Sequence, residues 1–89
     1  MIRRRSVFTG RVQGVGFRAT VDDIAQGFEV RGYVRNLPDR RVEVVIEGDE
    51  AEVERFLARI GERMEGYIKQ RSDDDSPPTR EFEDFSIRH

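Results

Sequence analysis

Gly14 and Gly16 flank Val15 just ahead of an arginine, Arg18, which stands where a helical pattern begins. Glycine has no Cβ and enters the φ > 0 region cheaply, so the N–H groups around it can turn toward one point. A helix start adds unpaired N–H groups and a partial positive charge, a combination that suits a phosphate. Arg18 contributes a planar guanidinium whose fork matches phosphate oxygens. The stretch Gln13, Gly14, Val15, Gly16, Phe17 and Arg18 is therefore the candidate phosphate-binding segment. The bland alternative for the two glycines is a tight strand-to-helix turn. The Phe17 side chain is expected in the core.

The elements that must hold this segment can be read from the hydrophobic pattern. Ser6 to Val12 reads as a first strand, and Val21, Ile24, Ala25 and Phe28 give Ala19 to Phe28 one apolar helical face. Val30 to Leu37 reads as a second strand, closed by a Pro38-Asp39-Arg40 turn. Arg41 to Glu47 alternates cleanly, with Val42, Val44 and Ile46 on one side and Glu43 and Glu47 on the other. Asp49 and Glu52 have the spacing of a capping box for a second helix bearing Val53, Phe56, Leu57, Ile60 and Met64. Gly66 is its natural stop.

Tyr67 to Arg71 and Phe82 to Arg88 read as short strands. Ser72 to Thr79, with the run Asp73 to Asp75, reads as an exposed loop because it has too little apolar content to pack. Arg3 to Arg5 reads as a solvated strand start in preference to a basic patch. Asp22 and Asp23 are expected in the first turn of the first helix. His89 is assigned no role.

At 89 residues the chain, residues 1–89, is expected to be one domain. There is no cysteine, so neither a disulfide, a thiolate metal site nor a thiol nucleophile can be built from it. Charged residues are 38% of the chain but the net charge is only −2, which argues against binding nucleic acid through a broad basic field. No apolar run approaches the roughly 20 residues that span a bilayer. No signal peptide is visible, and a cytoplasmic location is expected.

A β-α-β-β-α-β order most simply forms an antiparallel sheet with two helices on one face, here with an extra C-terminal strand, an α+β class. In the split form of that motif, strand three lies between strands one and two, whose C-terminal ends share one sheet edge. Arg18 after strand one and Asn36 at the end of strand two would then converge on one small anion.

The segments Gly10-Arg11-Val12-Gln13-Gly14-Val15-Gly16-Phe17-Arg18 and Gly32-Tyr33-Val34-Arg35-Asn36-Leu37-Pro38-Asp39 resemble the two signature segments of the acylphosphatase family. The likeness runs over nearly the whole chain, including the ending Phe82-Glu83-Asp84-Phe85-Ser86-Ile87-Arg88. It implies a ferredoxin-like sandwich that hydrolyses the carboxyl–phosphate bond of acyl phosphates without metal or cofactor. Arg18 would hold the phosphate and Asn36 would position the attacking water. The implied partners are a small-molecule acyl phosphate and the product inorganic phosphate, with no nucleic acid and no membrane; a stand-alone monomer is expected. Arg40 stands where the family usually has a glycine, and Glu29 where a glycine commonly ends the first helix, a role that falls to Gly27.

Two other readings compete. The same element order serves RNA-recognition modules, and Gly16-Phe17-Arg18 faintly echoes their signature. Against this, the string lies in a loop, and Glu43 and Glu47 would repel a phosphate backbone. The third reading is an anion-binding domain of a larger system that handles carbamoyl phosphate.

Overall fold

The computed structural model describes residues 1–89. Seven elements follow in order: β1 (Ile2–Gly10), α1 (Phe17–Ala25), β2 (Arg31–Asn36), β3 (Val42–Gly48), α2 (Glu50–Arg63), β4 (Ile68–Ser76) and β5 (Phe85–Arg88). They build one five-stranded sheet in the order β4-β1-β3-β2-β5. β3 pairs antiparallel with both β1 and β2, as the split motif requires. The extra strand β5 runs parallel to β2, which makes the sheet mixed. This is the expected ferredoxin-like α+β sandwich.

Period-two alternation sends Phe8 of β1, Val34 of β2, Val42, Val44 and Ile46 of β3 and Phe85 of β5 into one core. Val21 and Ile24 of α1 and Val53, Phe56, Leu57 and Ile60 of α2 close over the same core. Both helices therefore cover one face of the sheet. Phe17 packs on Phe8 with ring centroids 5.2 Å apart, which ties the start of α1 to β1. Phe56 similarly meets Phe85 edge-on at 5.5 Å. No helix is long and apolar enough to cross a membrane.

Several expectations change. Residues 72–76 are not loop: they continue β4, and the register sets Arg4 against Asp75, Arg5 against Asp74 and Ser6 against Asp73. A polar edge strand needs no apolar content of its own when its charges are met across the ladder. Arg3 to Arg5 are accordingly neither a solvated start nor a basic patch. Arg4 is buried, its guanidinium forked on Asp75 and reaching Glu54 of α2. Arg3 and Arg5 lie on the other face, bonded to Glu47 and Glu43.

The capping box at Asp49 does not form. Asp49 sits at the N-cap without a side-chain hydrogen bond, and Glu52 instead accepts from the Glu29 N–H and from Arg55. Helix α1 starts two residues earlier than the pattern indicated, so Asp22 and Asp23 lie beyond its first turn, which carries no acid. Its C-cap is Gln26, and Gly27 keeps negative φ, so the helix ends without a left-handed residue.

Candidate active site

The loop between β1 and α1 is built on two left-handed residues, Gly14 at φ 76° and Gly16 at φ 77°. A Cβ at either would meet nothing, so it is the backbone angle that requires glycine there. Gly16 is the N-cap of α1 and makes no side-chain cap, and no acid stands in the first turn. The orphan N–H groups and the positive end of the helix dipole are thus left to an external partner. Phe17 is buried, as expected, and anchors this turn.

Gln13 does something the sequence did not indicate. Its amide nitrogen donates to the carbonyls of Leu37 and Arg41, each at 2.9 Å, and so pins the loop to the turn between β2 and β3. With that side chain engaged, any part Gln13 takes in holding phosphate falls to its main-chain N–H. Val15 points its side chain outward and is left with the same contribution. Arg40 in the facing turn sits at φ 73°, the left-handed conformation that a glycine would take without strain.

The loop opens onto a hollow of about 300 Å³ lined by Gly14, Gly16, Phe17, Arg18 and Asn36, with Val12, Ala19, Ile87 and His89 completing it. The expected pair therefore shares one cavity, because β3 separates β1 from β2 and leaves their C-terminal ends on the same edge. Arg18 Nη1 donates to the Arg88 carbonyl and to His89 Nδ1, both at 3.3 Å. Neither contact is a salt bridge. Asn36 Oδ1 is buried and has no hydrogen-bond partner. A buried acceptor without a donor is costly, and Asn36 is the residue at this hollow that carries one.

His89, Ile87 and the Arg88 carbonyl were not found by reading the chain. Nothing in a terminal Ile-Arg-His marks it as part of a site; the parallel pairing of β5 on β2 brings it there. A larger groove of about 740 Å³ lies at the other end of the sheet, around Glu29, Glu47, Glu52 and Arg55. Two of its carboxylates are already occupied, Glu52 by Arg55 and Glu47 by Arg3 and Thr79.

Comparison with known proteins settles the family. The family model described as Acylphosphatase matches residues 4–87. The chain belongs to the acylphosphatase family. It is 43% identical over 72 residues to an acylphosphatase of Methanospirillum hungatei, covering 81% of this chain and 79% of that one. The solved acylphosphatase of Bacillus subtilis superposes over the full length of both chains with a TM-score of 0.89 and 32% identity. HypF of T. kodakarensis contains a similar unit, with a TM-score of 0.85 and 32% identity over all of this chain but only 12% of HypF. Family membership and fold thus follow from matches that include both signature segments, and they mark the chain as an enzyme of the acylphosphatase class.

Proposed function

We propose that this acylphosphatase-family chain, residues 1–89 acting as one domain, hydrolyses acyl phosphates to a carboxylate and inorganic phosphate, with Arg18 and Asn36 as its catalytic residues. One observation carries the reading: Arg18, whose guanidinium contacts a main-chain carbonyl and an imidazole, and Asn36, whose amide oxygen has no hydrogen-bond partner, line the same small hollow. Main-chain N–H groups of the Gln13–Arg18 loop and the Arg18 guanidinium take the phosphoryl oxygens. Asn36 Oδ1 accepts a hydrogen bond from a water and aims its oxygen at phosphorus.

The electron pair of the water oxygen forms the new P–O bond as the P–O bond to the acyl group breaks. The departing carboxylate keeps that bond's electron pair, and the water proton passes to the phosphate. A carboxylate leaves readily, being the base of an acid with a pKa of about 4, so no strong general acid is required. Phosphoryl transfer mainly needs positioning and charge stabilisation, which this lining supplies without metal or cofactor. The sheet's open face supports this reading over an RNA module. Tyr33 there is buried beneath Arg88, whose guanidinium carbon lies 3.8 Å from the ring centroid, so the ring is not free to stack on a base.

The test is turnover of benzoyl phosphate beside an aryl phosphate monoester. Hydrolysis of the first, none of the second, and indifference to a chelator are expected. A chain that binds phosphate but turns over neither would instead fit the third reading, a domain like the unit within HypF.

A further inference from the structure

From its two hydrogen bonds we infer that Gln13 is a positioning residue for hydrolysis, holding Asn36 at a fixed distance from the phosphate loop. This rests on the hydrolase reading above and adds a residue that acts through Asn36 without meeting the substrate. The β1–β3 ladder ends at Phe8 and Val42, and the β2–β3 ladder ends at Asn36 and Val42. Past those pairs the chain forms the Gln13–Arg18 loop on one side and the turn of residues 37–41 on the other. The Gln13 side chain joins the two, donating from Nε2 to the Leu37 and Arg41 carbonyls at 2.9 Å each. Leu37 and Arg41 are the first and last residues of the turn, and Asn36 immediately precedes Leu37.

The turn does not need Gln13 for its own closure. The Leu37 N–H donates to the Arg41 carbonyl at 2.8 Å, and the Arg40 N–H to the Leu37 carbonyl at 3.2 Å. A carbonyl has two lone pairs, so Gln13 takes the second on each, and its loss would orphan neither. The loop likewise keeps a frame of its own, from left-handed Gly14 and Gly16 and from Phe17 packed on Phe8. What the two bonds add is the placing of one segment on the other. Bonds to both ends of a turn fix its orientation as well as its distance, which a single bond would not. Phosphorus is held from the loop side and the attacking water from Asn36, so in-line attack depends on that placing. A shift of about 1 Å in such a group can cost about a hundredfold in rate.

Gln13→Met keeps the length of the side chain and removes both donors. With benzoyl phosphate it should lower kcat by about tenfold, while the inhibition constant of inorganic phosphate moves by less than about twofold. A second comparison asks whether the loss passes through Asn36. In an Asn36→Ala background, Gln13→Met should lower kcat by less than about twofold, because the group it places is gone. A residue that only supports the fold would cost the same factor in both backgrounds. Gln13→Leu, which also lacks the donors, should repeat the pattern. An unchanged kcat, equal losses in the two backgrounds, phosphate inhibition lost along with turnover, or variants without a cooperative urea transition would each overturn the inference and leave the hydrolase reading standing. A wild-type chain that does not hydrolyse benzoyl phosphate removes that reading and this inference with it.

Discussion

Arg4 and Asp75 form a two-pronged pair across the β1–β4 ladder, Nε to Oδ1 at 2.7 Å and Nη2 to Oδ2 at 3.0 Å. Arg4 is buried under the edge of the sandwich, and Asp75 raises its already high pKa further, so it stays charged. The edge strand β4 otherwise contributes little to the core, its residues being largely exposed. This pair and the Ser6–Asp73 hydrogen bond are the side-chain links that hold it on the sheet. Replacing Arg4 with methionine keeps the buried stem and deletes the fork. The expected loss is about 1–2 kcal/mol, between the values for exposed and buried pairs, read from urea unfolding. Hydrogen exchange should rise first in β4.

Two carboxylates on the open face set the acid stability. Burial alone would raise the pKa of Glu43, but hydrogen bonds from Arg5 and Arg35 outweigh it and hold the group below its ordinary value. Burial acts likewise on Glu47, outweighed by the N–H groups of Thr79 and Arg80, the Thr79 hydroxyl and Arg3. A carboxylate depressed in the folded state contributes stability above its unfolded pKa of about 4.3, and loses it as pH falls through the folded value. Unfolding midpoints should therefore hold steady from about pH 7 to about pH 5 and fall steeply below about pH 4. Glu47→Gln should cost about 2 kcal/mol at neutral pH and flatten that fall, since it removes a charged acceptor from bonded donors.

Asn36 and Arg18 should separate in kinetics. Removing the amide by Asn36→Ala should lower kcat for benzoyl phosphate by about a hundredfold or more, while inhibition by inorganic phosphate is kept. Arg18→Ala should weaken phosphate inhibition and turnover together, because the guanidinium meets the anion in ground and transition states alike. An Asn36→Ala enzyme of normal rate removes the water-positioning role.

Arg40 offers a stability test that leaves the hollow alone. Its φ of 73° is unfavourable for any residue with a Cβ by about 1–2 kcal/mol, and its turn is closed by main-chain bonds between Leu37, Arg40 and Arg41. Arg40→Gly relieves that strain but loosens the unfolded chain, so a net gain of about 0.5 kcal/mol is expected from thermal unfolding.

Much of the fold and of the site could be read from residue order. Val42, Val44 and Ile46 alternating with Glu43 and Glu47 marked β3, and the Val53–Ile60 stripe marked α2, since burial on one face imposes its period on the chain. The glycines and Arg18 could be recognised because a left-handed turn narrows the choice of residue. The polar edge was illegible to the same logic: β4 has no apolar period, and its signal is instead the match of Arg4 and Ser6 with Asp75 and Asp73 across the ladder. The capping box failed because the Glu52 carboxylate is engaged by the Glu29 N–H and by Arg55 instead of the N-cap it could have closed.

Sequence alone determined the local chemistry: which backbone could turn left-handed, which face was apolar, and which arginine stood at a helix start. Those properties depend on neighbours a few residues away, and neighbours along a chain are given by its order. Tertiary structure alone decided what joins the Arg18–Asn36 pair that the element order already brought together. It added Arg88 and His89 to the same hollow, and left one amide oxygen without a donor, because β5 adds alongside β2. Strand pairing is set by the packing of a whole sheet against its helices, a sum over many contacts that no single motif encodes.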